Sequence, residues 1–473
     1  VSDSRDRSRR GRRSAAAPAS TDPAASSSGG AGVPRSRRSA RRVDGSTQVR
    51  HGRLSRRGPV AGLAKLLAGG LAVLLVSGAS VGAIAAYQVR SDLGDGVSLQ
   101  AAEGETQQAA PASIDAYEGG FNILVVGTDN DADQGDEFGE RDATLNDVNI
   151  LLHVSADHTN ATAVSIPRDL VVPIPACARE DGSGYYSAMA ARPINEAYSY
   201  GGLGCVASTV SQLTGLDVPF AGMVSFNGVI EMSNAIGGVP VCAASPIDDP
   251  YTGLNIAAGE TTLSGADALA FLRTRHGVGD GSDLGRISSQ QVYLSSLLRT
   301  IKSADTLASP TKLYSLARAA ASNMTLSDGL TDVTTMVQIG SALKDLPLDS
   351  VNFVQYPGTT GGTGVYAGKV QPDEYVAGQL FDAIRADRPF TIPEGSTGVG
   401  SESTGTATAA PGAAAPDTGA ATTPADGTAS GSATAPASGS GAGSGSGSGS
   451  TEVIDGLTGQ TAADQTCSVA FGG

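Results

Sequence analysis

FNILVVGTD at residues 121–129, NDVNILLHV at 146–154 and ATAVSIPRD at 161–169 are the stretches on which the fold turns. Within them Phe121 to Gly127, Asn149 to Val154 and Ala161 to Ile166 are short apolar runs bounded by polar turns, the pattern of buried strands. Helical patterning follows at Asn195 to Tyr200, Val206 to Leu213, Gly228 to Ala235, Ala266 to Ala270, Arg286 to Ile301, Thr311 to Ala321, Leu330 to Leu346 and Asp373 to Ala386. One more strand is predicted at Val351 to Gln355. This alternation predicts an α/β domain, a central sheet covered by helices, over residues 118–395.

The flanks have a different composition. Residues 1–57 hold 15 Arg against four Asp, a net +11 that leaves −26 on residues 58–473. They read as a disordered basic arm. A body so acidic repels phosphate backbones, so no nucleic-acid partner is expected. Leu66 to Tyr87 runs 22 residues without a charge, enough to cross a bilayer as a helix. With Arg50, Arg53, Arg56, Arg57 and Lys65 before it, the positive-inside bias puts the arm in the cytoplasm and the main domain outside the cell membrane. A retained single-pass type II anchor over 58–88 is expected, ahead of cleavage after Ala83-Ile84-Ala85 or twin-arginine export at Ser55-Arg56-Arg57. Residues 89–117 read as a polar spacer, and 396–473 as a Ser/Gly/Ala-rich disordered tail with a terminal Cys segment. All four cysteines fall on the predicted exterior side; Cys177 with Cys205 is the favoured pair and Cys242 with Cys467 the weaker second.

Chemistry is concentrated in a few stretches. Arg273 and Arg275 are two apart, so they share a site if the chain turns extended at Phe271, and paired guanidinium forks suit a phosphate or pyrophosphate. Arg286 and Gln290 lie four apart on one helical face, with Asp283 placed to cap that helix. Arg168 leaves the strand ending at Ile166. Asp129 and Asp147 end and begin neighbouring strands, and carboxylates beside a phosphate pocket suit Mg²⁺ or another divalent cation. Asp129, Asp131, Asp133 and Glu140 also fall at calcium-loop spacing, but Gln134 stands where the loop needs Gly. Gly78-Ala79-Ser80-Val81-Gly82 matches a hydrolase elbow only inside the apolar run. His153 and His158 have no metal-ligand spacing, and His153 reads as structural.

FNILVVGTD, NDVNILLHV, SIPRD, PINEAYSYGG, IGGVPV, LSGADALAFLRTRH and DLGRISSQQ, in that order behind an anchor, resemble the LytR-CpsA-Psr family of cell-envelope proteins over about residues 120–305. The stretch to about 395 resembles the family's less distinctive C-terminal part. The resemblance implies a three-layer α/β/α extracellular domain behind one transmembrane helix, with a hydrophobic groove for a polyprenyl chain and a polar mouth for its pyrophosphate. It implies a phosphotransferase that moves a glycopolymer from a polyprenyl-pyrophosphate carrier onto peptidoglycan through a phosphodiester bond. By motif position, Asp129 and Asp147 resemble the metal-associated carboxylates. Arg168, Arg273, Arg275, Arg286 and Gln290 resemble the pyrophosphate ligands, with Arg286 and Asp283 as the catalytic candidates. Leu145, Pro193 and Ser289 stand where relatives often carry Arg, Lys and Arg. The rival readings are a polyprenyl-pyrophosphate phosphatase, a non-catalytic membrane-anchored scaffold, and a transcriptional regulator, which the topology would separate from DNA.

Overall fold

In the computed structural model, which describes residues 59–100, 102–104, 113–114, 120–128, 144–406 and 452–472, the three apolar runs form strands β1 (Phe121–Thr128), β2 (Asn146–Val154) and β3 (Ala161–Ile166). The basic arm, residues 129–143 and residues 407–451 lie outside the described residues. The chain divides into two units, Val1–Gly70 and Leu71–Gly473. In the first, the described part is the start of helix α1 (Pro59–Asp92). Within Leu63–Asp92 an 18-residue stretch has a mean hydropathy of 2.0 and none of it is buried, so the helix is long and apolar enough to cross a bilayer.

The second unit is built on a seven-stranded mixed sheet. Besides the first three strands it holds β4 (Phe220–Val224), β7 (Met324–Leu326), β8 (Val351–Gln355) and β10 (Thr458–Thr461); β5 (Val239–Ala243), β6 (Gly259–Leu263), β9 (Ser401–Thr406) and β11 (Asp464–Ser468) form a second sheet. The orders are β7-β4-β1-β2-β3-β8-β10 and β6-β5-β11-β9. Alternation along β1 sorts the large sheet's two faces. Leu124 and Val126 pack with helices α2 (Ala197–Thr214) and α7 (Glu374–Arg385). Ile123 and Val125 pack on the other face with α5 (Asp283–Lys302) and α6 (Val333–Lys344). The second sheet builds a further core with α3 (Phe226–Ile236) and α4 (Gly265–Arg273), in which Phe271 is fully buried beside Tyr293 of α5. The expected three-layer α/β/α arrangement is therefore present.

Two boundaries differ from the sequence reading. The described residues within 89–117 are no free spacer: Leu93, Ala102 and Ile114 are buried, and Val97 is bonded through its backbone to Leu326 and Asp328. Nor is 396–473 tail throughout. β9 precedes the undescribed stretch, and residues 452–472 return to supply the edge strand β10 and the inserted strand β11. Their apolar content is small, but Ile454, Leu457 and Ala462 are buried in the domain's cores. Cys467 is disulfide-bonded to Cys242 and Cys177 to Cys205, the two expected pairs.

His153 has the structural role expected of it. Its Nδ1–H donates to Asn122 Oδ1 at 3.0 Å, joining β2 to β1. Burial pushes its pKa below the usual imidazole value, partly offset by Asp387, 3.8 Å away. The unfolded chain therefore takes up this proton first, so His153's contribution is complete above about pH 6.5 and is lost as pH falls below it. Urea midpoints between pH 7.5 and 5 should fall more steeply in the wild type than in His153→Asn; equal slopes would contradict this assignment.

Candidate active site

Because β1 runs parallel to β4 and β2 is antiparallel to both β1 and β3, the carboxyl ends of β1, β3 and β4 meet the start of β2 at one sheet edge. This edge is where α/β sheets commonly bind ligands. Asn146 fixes the start of β2 there. It is fully buried, with Nδ2 donating to Ile194 O at 3.0 Å and Oδ1 accepting from Tyr198 N at 3.0 Å. The next residue, Asp147, ion-pairs with Arg168, which follows β3. Asp129, its expected metal partner, lies outside the described residues; Thr128 before it is paired with Asn146.

Asp283 joins these strand ends to α5. Its Oδ2 accepts from Arg168 N at 3.0 Å, and its Oδ1 lies 2.6 Å from Arg286 Nη2 and 4.0 Å from Arg275 Nε. Arg286 Nη2 also donates to Asp147 O at 2.8 Å. Asp283 does not cap the helix as the sequence suggested: Ser282 does, its side chain accepting from Gly285 N. The carboxylate is thereby free to hold guanidinium groups. Gln290, one turn beyond Arg286, donates to Leu272 O at 2.8 Å and locks α4 against α5.

The change to extended backbone comes at Thr274 (φ −60°, ψ 136°), not at Phe271, because α4 continues through Arg273. Arg273 and Arg275 nevertheless reach the same site. The Arg273 guanidinium sits 4.4 Å from the centre of the Phe226 ring, a cation–π contact. Ser289, where relatives often carry Arg, is fully buried and donates to Ser468 Oγ at 2.8 Å, so its space is taken by the returning C-terminal strand.

The arginines, Gln290 and Asp147 line one cavity of about 530 Å³, with Asp283 behind them and outside its lining. Arg168, Arg273, Arg275, Arg286, Gln290 and Asp147 form its polar end, and Val125, Ile150, Leu272, Leu294, Leu297 and Ile301 line its apolar part. The arginines repel one another. Burial, then the charges of Arg286 and Arg168, press the Arg275 pKa down, while Asp283 and Asp169 pull the other way. Asp169 is itself held below the usual carboxylate value: burial raises it, and Lys369, donating at 2.7 Å, together with Arg168 and Arg275, more than offsets that. Among the described residues, the buried Nε atoms of Arg168 and Arg286 have no hydrogen-bond partner. An anion entering here would meet unspent donors and relieve the repulsion.

Several known proteins are similar to this chain. The cell wall biosynthesis protein LcpA of Corynebacterium glutamicum is 32% identical over 281 residues, 54% of this chain and 53% of LcpA. The polyisoprenyl-teichoic acid–peptidoglycan teichoic acid transferase TagT of Bacillus subtilis is 28% identical over 208 residues, 43% of this chain and 59% of TagT. The matches thus span between half and three fifths of those relatives. The crystal structure of B. subtilis TagV matches with a TM-score of 0.45 at 22% identity, over 56% of this chain and 96% of TagV. A sequence profile of the LytR_cpsA_psr family matches residues 91–380, and the chain belongs to that family.

Proposed function

We propose that this protein is a phosphotransferase of cell wall assembly, moving a glycopolymer from a polyprenyl-pyrophosphate carrier onto peptidoglycan. The observation that carries the reading is the cavity's division into an arginine-lined polar end and an apolar interior, which suits a molecule with a pyrophosphate head and a hydrocarbon tail. Relatives named as teichoic acid transferases support the same class of reaction. In this reading α1 anchors the chain with the arm cytoplasmic and the domain outside, beside the lipid-borne donor.

The acceptor hydroxyl attacks the sugar-linked phosphorus, its oxygen bonds to phosphorus as the bridging P–O bond breaks, polyprenyl phosphate leaves with that electron pair, and the hydroxyl proton passes by way of solvent to the departing phosphate. Positioning and charge neutralisation do most of the work in such transfers. Arg168, Arg273, Arg275 and Arg286 hold the pyrophosphate and stabilise the charge on the departing oxygen. Asp283 is a positioning residue, since its oxygens are engaged by Arg286 and by the backbone of Arg168. Asp147, ion-paired with Arg168, presents a carboxylate at the polar end, and hard oxygen donors of this kind suit Mg²⁺. Among the described residues no group of three or more His, Cys, Asp or Glu side chains forms a cage of its own. Asp147, with Asp129, would hold Mg²⁺ or another divalent cation, which would supply further neutralisation of the phosphates.

The test is binding of geranylgeranyl pyrophosphate to the full chain in detergent, with geranylgeraniol as the uncharged control. Arg275→Ala should weaken the pyrophosphate about tenfold or more, as expected for loss of a charge-assisted contact of about 1.5–3 kcal/mol, and leave the alcohol unchanged. Equal affinity of wild type and variant for the pyrophosphate would overturn the assignment.

A further inference from the structure

The cavity's polar rim continues past the arginines to two aromatic rings that the mechanism does not use. Tyr251 sits in the turn between two short strands, Ile247–Asp249 and Leu254–Ile256, and is 78% exposed. Its ring lies 4.6 Å from the His276 imidazole, tilted by 46°, and His276 directly follows Arg275. Both rings line the same cavity as Arg273 and Arg275.

A solitary exposed tyrosine would need no explanation, but this one is braced. Asp249, 1% exposed, accepts from Tyr251 N at 3.0 Å through Oδ1 and from Thr274 Oγ1 at 2.5 Å through Oδ2. Thr274 Oγ1 in turn accepts from Gly277 N at 3.2 Å. A buried carboxylate is costly unless its oxygens are used, and here both tie the tyrosine turn to the extended segment that carries Arg275 and His276. The backbone segments that carry the two rings are thus joined beside Arg275.

We propose that Tyr251 and His276 form a stacking shelf for the first pyranose of the donor glycan, a specificity element that rests on the carrier-lipid reading above. With the lipid tail in the apolar interior and the pyrophosphate on the arginines, the sugar on the outer phosphate falls at the rim. A pyranose presents an apolar C–H face that packs on an aromatic ring and hydroxyls that remain solvated around it. The hydrocarbon tail is a poor occupant, because the shelf lies on the arginine side of the cavity.

The experiment compares the full chain's affinity for geranylgeranyl pyrophosphate and for the same lipid bearing one glucose or one N-acetylglucosamine on the outer phosphate. Tyr251→Ala should weaken at least one sugar-bearing probe about three- to tenfold, the range of a lost aromatic contact, and leave the bare pyrophosphate within about twofold. That unchanged affinity also reports an intact fold. Tyr251→Phe, which keeps the ring, should bind like the wild type. If wild type and Tyr251→Ala bind all probes alike, or the variant weakens all of them equally, the shelf is wrong and the carrier-lipid reading stands. If the wild type binds no probe, the carrier-lipid reading falls and the shelf falls with it.

Discussion

Arg286→Ala should lower the proposed glycan transfer by about 10²–10³-fold, the usual cost of removing a preorganised donor that faces developing charge. The guanidinium meets that description because its side chain is 6% exposed, is held by Asp283 and by Asp147 O, and lines the cavity. Lysine at this position keeps the charge but not the fork that joins Asp283 to the strand end, so Arg286→Lys should recover only part of the rate. Removing the other partner has a different signature. Asp283→Ala leaves Arg275 and Arg286 without their shared counter-charge and Arg168 N without its acceptor, a loss of about 3–5 kcal/mol in stability. Asp283→Asn retains a carbonyl acceptor and should fall between. Urea midpoints and transfer rates measured on the same preparations separate the two effects: Arg286→Ala should lose rate and less stability than Asp283→Ala, because Asp283 keeps Arg275 and the Arg168 N–H and the arginine repulsion eases, whereas Asp283→Ala should lose both. A fully active Arg286→Ala protein would remove this residue from the chemistry.

Deletion of residues 407–473 should unfold the domain. It removes β10 from the edge of the large sheet and β11 from between β5 and β9, which splits the second sheet. It strips Arg299 Nη1 of its acceptors at Ala462 O (2.8 Å) and Asp464 O (3.0 Å). The site is reached as well: Val469 O accepts from Gly279 N at 2.9 Å, and Phe471 N donates to Gly277 O at 3.0 Å, holding the loop between Arg275 and Asp283. Cys242→Ser with Cys467→Ser is the milder form. This disulfide closes a separation of 225 residues, and its loss should cost about 2–5 kcal/mol, seen as a lower urea midpoint. A truncated chain that melts with the wild-type midpoint would show the returning segment to be dispensable.

That segment also marks where sequence reading stops. β1, β2, β3 and β8 were legible because their apolar runs are dense, and α5 because Ile287, Val292 and Tyr293 recur along it, although its cap is Ser282 and not the Asp283 that the sequence suggested. TGQT and DQTCS in β10 and β11 have no such pattern; they are strands because β8 and β5 supply partners, a tertiary effect on weak local preference. The one local signal was Cys467. In the site, the two-residue spacing of Arg273 and Arg275 and the four-residue spacing of Arg286 and Gln290 could be read directly. The meeting of Asp283 with Arg168, 115 positions away, could not. Asn146 gave no signal of its own, being one polar residue at a strand start. Tyr251 had one, since Asp249-Pro250-Tyr251-Thr252-Gly253 is a turn signature, but nothing in the order of residues places that turn beside Arg275.

The most direct measurement is transfer by the full chain in lipid nanodiscs, supplied with a labelled polyprenyl-pyrophosphate glycan and peptidoglycan, with Mg²⁺ or EDTA and with Arg286→Ala alongside. The account predicts metal-dependent label bound to peptidoglycan through a phosphodiester, and its loss in the variant. Label released as soluble phosphorylated glycan, the product of a phosphatase, or tight binding of the same donor without turnover, the behaviour of a scaffold, would contradict it.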